Sequence, residues 1–127
     1  MSSMFSHIKT SKENKEVVTK LTNKLSLGAE NQIARIALAY SLAHDEKLDL
    51  KDLKDSGGKE YSKNVLFGEN YDFYIGMICT KYQLHMSNND LTKFVKLHID
   101  QGLELLDEKL SNESDLLSSI LMLKRAE

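Results

Sequence analysis

Lys12, Lys15, Lys20 and Lys24 recur along a stretch in which Val17, Val18, Leu21 and Leu25 gather into one helical stripe at ~100° per residue. Ammonium groups spread over the rest of such a helix are suited to the phosphates of a nucleic-acid backbone, which ask for positive charge and no particular pattern of base-edge donors. Glu13 and Glu16 lie among them and dilute that charge, and a solvated lysine face is the commoner origin of such a pattern. The chain as a whole has a formal charge of −2, but residues 1 to 44 carry six Lys/Arg against three acids and the remainder eleven against sixteen. Only the first part has a basic bias.

Other candidate chemistry is sparse. Cys79 stands alone, so no intramolecular disulfide can form, and its setting IGMICTKY reads as a small core residue and not an activated thiol. Gly57-Gly58-Lys59 lacks the longer glycine-rich pattern that cradles a nucleoside triphosphate. His98 falls on an apolar helical face, where a hydrogen-bonded core histidine is expected; with Asp100 it forms a faint polar-site candidate, and no second histidine or cysteine sits at ligand spacing. No catalytic residue, metal ligand or cofactor site is assigned, and the chain reads as a non-enzyme. No run approaches the ~20 apolar residues that cross a bilayer, and MSSMFSHIKTS lacks the apolar run of a secretory signal. A cytoplasmic protein without membrane contact is expected.

The elements that must position these residues are helical. With 127 residues, the chain is of single-domain size and the expected class is mainly α, a compact helical domain. Residues 1–10 form an N-terminal arm or short strand, Met4 to Lys9. Thr10 with Glu13 offers a capping box, and Ser11 an alternative cap, for a helix running to about Leu27, stopped by Gly28. A second helix opens at Glu30 and is apolar nearly all round between Ile33 and Ala43, so it should be enclosed by its own domain or by another subunit; a homo-oligomer is expected.

Residues 45–64 read as a charged connector, with Leu48, Leu50 and Leu53 as anchors and Gly57-Gly58 as a flexible turn. Asn70 can cap a third helix from Tyr71 to about His85 whose buried surface is Phe73, Met77 and Ile78, flanked by Tyr74, Ile75 and Tyr82. A fourth follows from Leu91 to about Leu110. Within it Gly102 costs ~1 kcal/mol relative to alanine, which is accounted for if another helix approaches closely there. Residues 111–127 hold a docking helix or tail, Ser114 to Arg125. A short strand followed by two helices is also the outline of a ribbon-helix-helix regulator, in which strands of two chains enter the major groove.

Three stretches, GAENQIARIALAYSL, VLFGENYD and HIDQGLELL, resemble the DNA sulfur modification DndE family in their order and spacing. The resemblance spans about residues 8 to 110 and includes no catalytic signature. It implies a helical, tetrameric DNA-binding component of the bacterial system that replaces a non-bridging phosphate oxygen with sulfur. That component works beside a cysteine desulfurase and an iron-sulfur partner. It further implies surface lysines that favour double-stranded DNA carrying a nick, here Lys12, Lys15, Lys20 and Lys24, with Lys9 and Arg35 as secondary positions. A scaffold that binds other DNA sulfur modification proteins, its lysines merely solvated, is the alternative.

Overall fold

The computed structural model describes residues 7–126, with side chains to residue 112. In chain order it contains β1 (His7–Lys9), α1 (Lys12–Lys24), α2 (Glu30–Ala43), a 3-10 turn (Leu50–Asp52), β2 (Glu60–Ser62), α3 (Lys63–Phe67), a second 3-10 turn (Gly68–Asn70), α4 (Tyr71–Tyr82) and α5 (Leu91–Ala126). The expected mainly helical single domain is what is found. Its core is a layer of helices closed at one end by the small sheet, with Leu21, Ile33, Leu38, Phe67, Ile78 and Leu103 among its fully buried side chains.

The closest packing is that of α2 on α5. A Cβ placed on Gly102 would collide with the carbonyl of Ala37 and stand 2.9 Å from its Cα, so the two backbones touch through a position that only glycine can occupy. This is the close approach expected from the glycine in the middle of that helix. Ile33, Ala34, Ala37, Leu38, Ser41 and Leu42 form the buried face of α2. The opposite row does not meet the rest of the chain: Ile36 is 39% exposed and Ala39 lies open. The single chain thus encloses only part of this apolar helix.

Helix α1 uses the alternative cap. Ser11 is its N-cap and accepts from the Asn14 amide at 3.2 Å, whereas Thr10, the capping-box candidate, is drawn toward the sheet: its hydroxyl accepts from the Lys59 amide at 2.9 Å. The helix ends earlier than expected. Leu27 N–H donates to the Thr22 carbonyl and Ser26 N–H to that of Asn23, the paired bonds of a Schellman stop. The left-handed residue of that stop is Ser26 (φ 55°), not Gly28, and Leu25 consequently leaves the core stripe and is exposed.

The strand is present, but its partner is not a second chain. Within one chain β1 pairs antiparallel with β2, Ile8 opposite Tyr61, and both of those side chains are buried. This overturns the ribbon-helix-helix outline, because the strand is spent on closing its own domain; the residues before His7 lie outside the described residues. The connector of residues 45–64 is more ordered than its glycines suggest. Gly58 donates to the Thr10 carbonyl at 2.9 Å and presses so closely on the Ser11 carbonyl that no side chain would fit.

Of the three side chains expected to be buried on α4, Ile78 is, with Ile75 beside it, and Phe73 and Met77 are not. Tyr71, Ile75 and Ile78 are buried at i, i+4, i+7, while Phe73 is 64% exposed and Met77 36%. The helix stops at Tyr82, because Gln83 turns left-handed (φ 56°), and Asn70 gives it no side-chain cap. Helix α5 shows no break after Leu110 and continues to Ala126; the docking expected of Ser114 to Arg125 lies outside the described side chains.

Two substitutions test these readings. Gly102→Ala is expected to lower unfolding stability by on the order of 3 kcal/mol despite its better helix propensity, since backbone must shift to admit the methyl group. Ser26→Gly is expected to raise stability by about 0.5–1 kcal/mol by relieving a left-handed non-glycine residue. Urea unfolding midpoints, read with the slope held in common, check both.

Candidate nucleic-acid interface

Helix α1 is clamped on its inner side by carboxylates. Asp100, buried on α5, accepts from the Ser11 amide at 3.1 Å and the Asn14 side-chain amide at 2.8 Å through one oxygen, and from Lys96 Nζ at 2.9 Å through the other. Lys96 is itself buried and donates to the Asp55 carbonyl at 2.8 Å. The Asp55 carboxylate receives the Lys12 and Gly57 amides, both at 2.9 Å, and these two donors hold its pKa below the usual carboxylate value. The start of α1 is therefore fixed by two acids placed where a helix N-terminus favours negative charge.

On the outer side, Lys12, Lys15 and Lys20 come together with Glu16 and Thr19 around one shallow depression. Lys12 and Lys15 are exposed and have no ion-pair partner among the described residues. Lys20 is paired with Asp107 of α5. Lys24, a full turn further on, donates to the Leu110 carbonyl at 3.2 Å. Lys9 projects from β1 on the other side of the 55–58 loop, exposed and unpaired among the described residues. Arg35 belongs elsewhere: its Nε donates to the Leu66 carbonyl at 2.7 Å and its Nη2 to that of Val65 at 3.0 Å, satisfying the end of α3. The six candidate cations thus divide into three that share a surface, one at its far end, one beyond a loop and one committed to structure.

The sequence reading overlooked Lys54, Lys93 and Lys96, and weighed Lys59 only as part of a nucleotide-binding glycine motif. Lys54 pairs with Glu104 and Lys59 with Glu30, which removes them from the free charge. For Lys96 a signal existed: Lys96 and Asp100 are four apart inside an otherwise apolar run, where opposite charges at that spacing are each other's natural partner.

His98 is a core histidine. Its Nδ1 is 2.8 Å from Ser41 Oγ and its Nε2 2.7 Å from Tyr82 Oη. Because Ser41 donates to Gln101 Oε1, it accepts from His98 Nδ1–H; Nε2 then accepts from Tyr82, whose oxygen receives the Leu48 amide at 2.8 Å. Gln101 Nε2 passes the chain on to Glu46 at 3.0 Å. One directed series of bonds thus fixes a neutral imidazole, and burial, with the nearby charge of Lys81, pushes its pKa down to about 4. Cys79 is half-buried, and burial raises its thiol pKa, the opposite of activation. Among the described residues no group of three His, Cys, Asp or Glu side chains could hold a metal ion, and no helix is long and apolar enough to cross a membrane.

Fold and surface together describe a small helical module with exposed, unpaired cations on a helix whose start is held by two carboxylates, Asp100 buried and Asp55 exposed. The model of the family described as DNA sulphur modification protein DndE matches residues 7–114, and the chain belongs to that family. A crystal structure of DndE from Escherichia coli B7A, involved in DNA phosphorothioation modification, aligns with a TM-score of 0.66 at 17% identity, covering 81% of this chain and 98% of that one. A DndE G21/24K mutant structure aligns with the same score and coverage at 20% identity. No curated relative matches the chain.

The depressed pKa of His98 has a stability consequence with a definite sign. The unfolded imidazole, at about 6.5, takes up a proton before the folded one at about 4, so the stability contributed by neutral His98 is complete above pH 6.5 and is lost as pH falls toward 4. Unfolding free energy should therefore decline by up to about 1.4 kcal/mol per pH unit across that window from this group alone. Denaturant titrations of the wild-type chain and His98→Gln at pH 7, 6 and 5 should show a shallower decline in the variant.

Proposed function

We propose that this chain is a non-enzymatic, DNA-backbone binding member of a bacterial DNA phosphorothioation system, working in the cytoplasm on duplex DNA, including nicked duplex, beside other DNA sulfur modification proteins. The observation that carries the proposal is the pair Lys12 and Lys15, exposed and unpaired on the outer side of a helix whose inner side is immobilised by Asp55 and Asp100. Lysines on a fixed helix meet phosphates at set positions without reading bases. Family membership and the phosphorothioation role of the E. coli protein support this reading.

A homo-oligomer, four copies on the family's pattern, is part of the proposal. Its support is the apolar surface left on the outer sides of α2 and α4, where Ile36, Phe73 and Met77 are exposed and Tyr40 and Tyr74 half-buried. Assembly would multiply the two free lysines on the outer side of each α1 into a larger backbone-contacting surface. A scaffold reading also has a specific observation in its favour: Lys20, Lys54 and Lys59 are each already neutralised by Asp107, Glu104 and Glu30.

Salt dependence separates the two. Lys12→Ala with Lys15→Ala should weaken binding to nicked duplex to a similar degree for different sequences and flatten the plot of log affinity against log salt by up to about 2 per engaged chain. Lys20→Ala should change the slope less, since its charge is shared with Asp107. Fluorescence anisotropy at several salt concentrations, beside circular dichroism to verify helical content, makes the measurement. An unchanged slope in the double variant would give the scaffold reading the lead.

A further inference from the structure

A second cationic feature lies between β1 and the first turns of α5. Lys9, Lys93 and Lys96 surround a recess of about 290 Å³, with the hydroxyl residues Ser56 and Thr92 on its wall and Ile8 and Leu53 as an apolar lining. A water molecule occupies about 30 Å³ of liquid, so the space holds a phosphate group with several waters. Lys93 has one exposed acid, Asp90, at 3.4 Å, and Lys9 has no ion-pair partner among the described residues.

Lys96 is the unusual member. Its side chain is 8% exposed, and an ammonium carries three N–H donors. Two are used, by the Asp55 carbonyl and the Asp100 carboxylate; the third has no acceptor among the described residues. A buried ammonium with a spare donor is costly unless an acceptor reaches it. The acceptor best suited to a recess ringed by two further ammonium groups and two hydroxyls is an oxyanion with several oxygens.

We propose that this recess is a phosphate-group binding site in which Lys96 supplies a buried donor and Lys9 and Lys93 close over the anion from the rim. It is separate from the α1 depression but adjoins it: Gly57 packs against the stem of Lys12, and its neighbour Ser56 lines the recess. The phosphate group can belong to a nucleic-acid strand or be free in solution. The proposal does not depend on α1 contacting DNA.

The test uses the full chain labelled with 15N and two probes at constant ionic strength. The first is inorganic phosphate; the second is nicked duplex with and without a 5′-phosphate at the nick. Saturable shifts of the Ser56, Thr92 and Lys93 amides with inorganic phosphate are expected, weakened about tenfold in Lys9→Ala/Lys93→Ala, whose exposed side chains can be removed without disturbing the core. If the same amides respond to duplex only when the nick is phosphorylated, the source is a strand end; if to both duplexes, an internal phosphodiester; if to neither duplex while free phosphate binds, a small soluble phosphate. No response of these amides to any probe, or an equal response in the double variant, overturns the site. Absence of duplex binding altogether, with phosphate still bound here, counts against the DNA-binding function alone.

Discussion

The contact on which the rest depends is that of Gly102 on the backbone of Ala37. Two helices that touch without an intervening side chain have their relative height and rotation fixed, because any slide brings a Cβ against a carbonyl. With α2 and α5 locked there, residues one turn from the contact become obligatory partners: His98 meets Ser41, and Gln101 reaches the same hydroxyl. The directed hydrogen-bond series from Leu48 through Tyr82, His98, Ser41 and Gln101 to Glu46 extends that register from the helix pair to α4 and the start of the connector. Close packing makes the network possible, and the network in turn excludes other registers, since each slip would strand a buried polar atom.

The same helix organises the charged side of the molecule. Lys96 and Asp100 lie one turn apart on α5, and between them they hold the start of α1 and the 55–58 loop. A buried ion pair seldom stabilises more than apolar residues of similar volume would, so its use here is better understood as positional. It fixes where α1 begins, and thus which way Lys12 and Lys15 face. Further along α5, Asp107 pairs with Lys20 and the Leu110 carbonyl takes Lys24, so that α5 itself decides which lysines of α1 remain free.

Much of the fold was legible in the sequence. Apolar periodicity located the helices, and Gly102 announced a close approach, because a helix tolerates glycine only where the missing side chain is useful. What was not legible has three physical causes. The start of α1 stayed open between Thr10 and Ser11, which are equivalent as caps until Lys59, just before β2, claims Thr10, and its end was misplaced because a serine holds the left-handed stop. In α4 nearly every residue is apolar, so periodicity could not tell the Tyr71, Ile75, Ile78 stripe from the one through Phe73 and Met77. The strand was visible but its partner was not, since pairing across some fifty residues is set by the packing of everything between. For the candidate site, the lysines could be enumerated but their availability could not: whether a given ammonium is free depends on acids far away in sequence.

For the DNA binding proposed above, that last distinction would govern how a chain of net charge −2 addresses a polyanion. A lysine already sharing its charge with a carboxylate adds little to phosphate binding, because contacting DNA would have to break the pair or bring the acid along. Nucleic-acid affinity therefore scales with unpaired cations on a common surface and not with total lysine content. On the outer side of α1 that leaves two per chain, too few for firm binding by one copy at physiological salt. In the homo-oligomer proposed above, a second copy seated on the exposed apolar residues of α2 and α4 would add its own pair without adding contacts to DNA from any residue already committed to the fold.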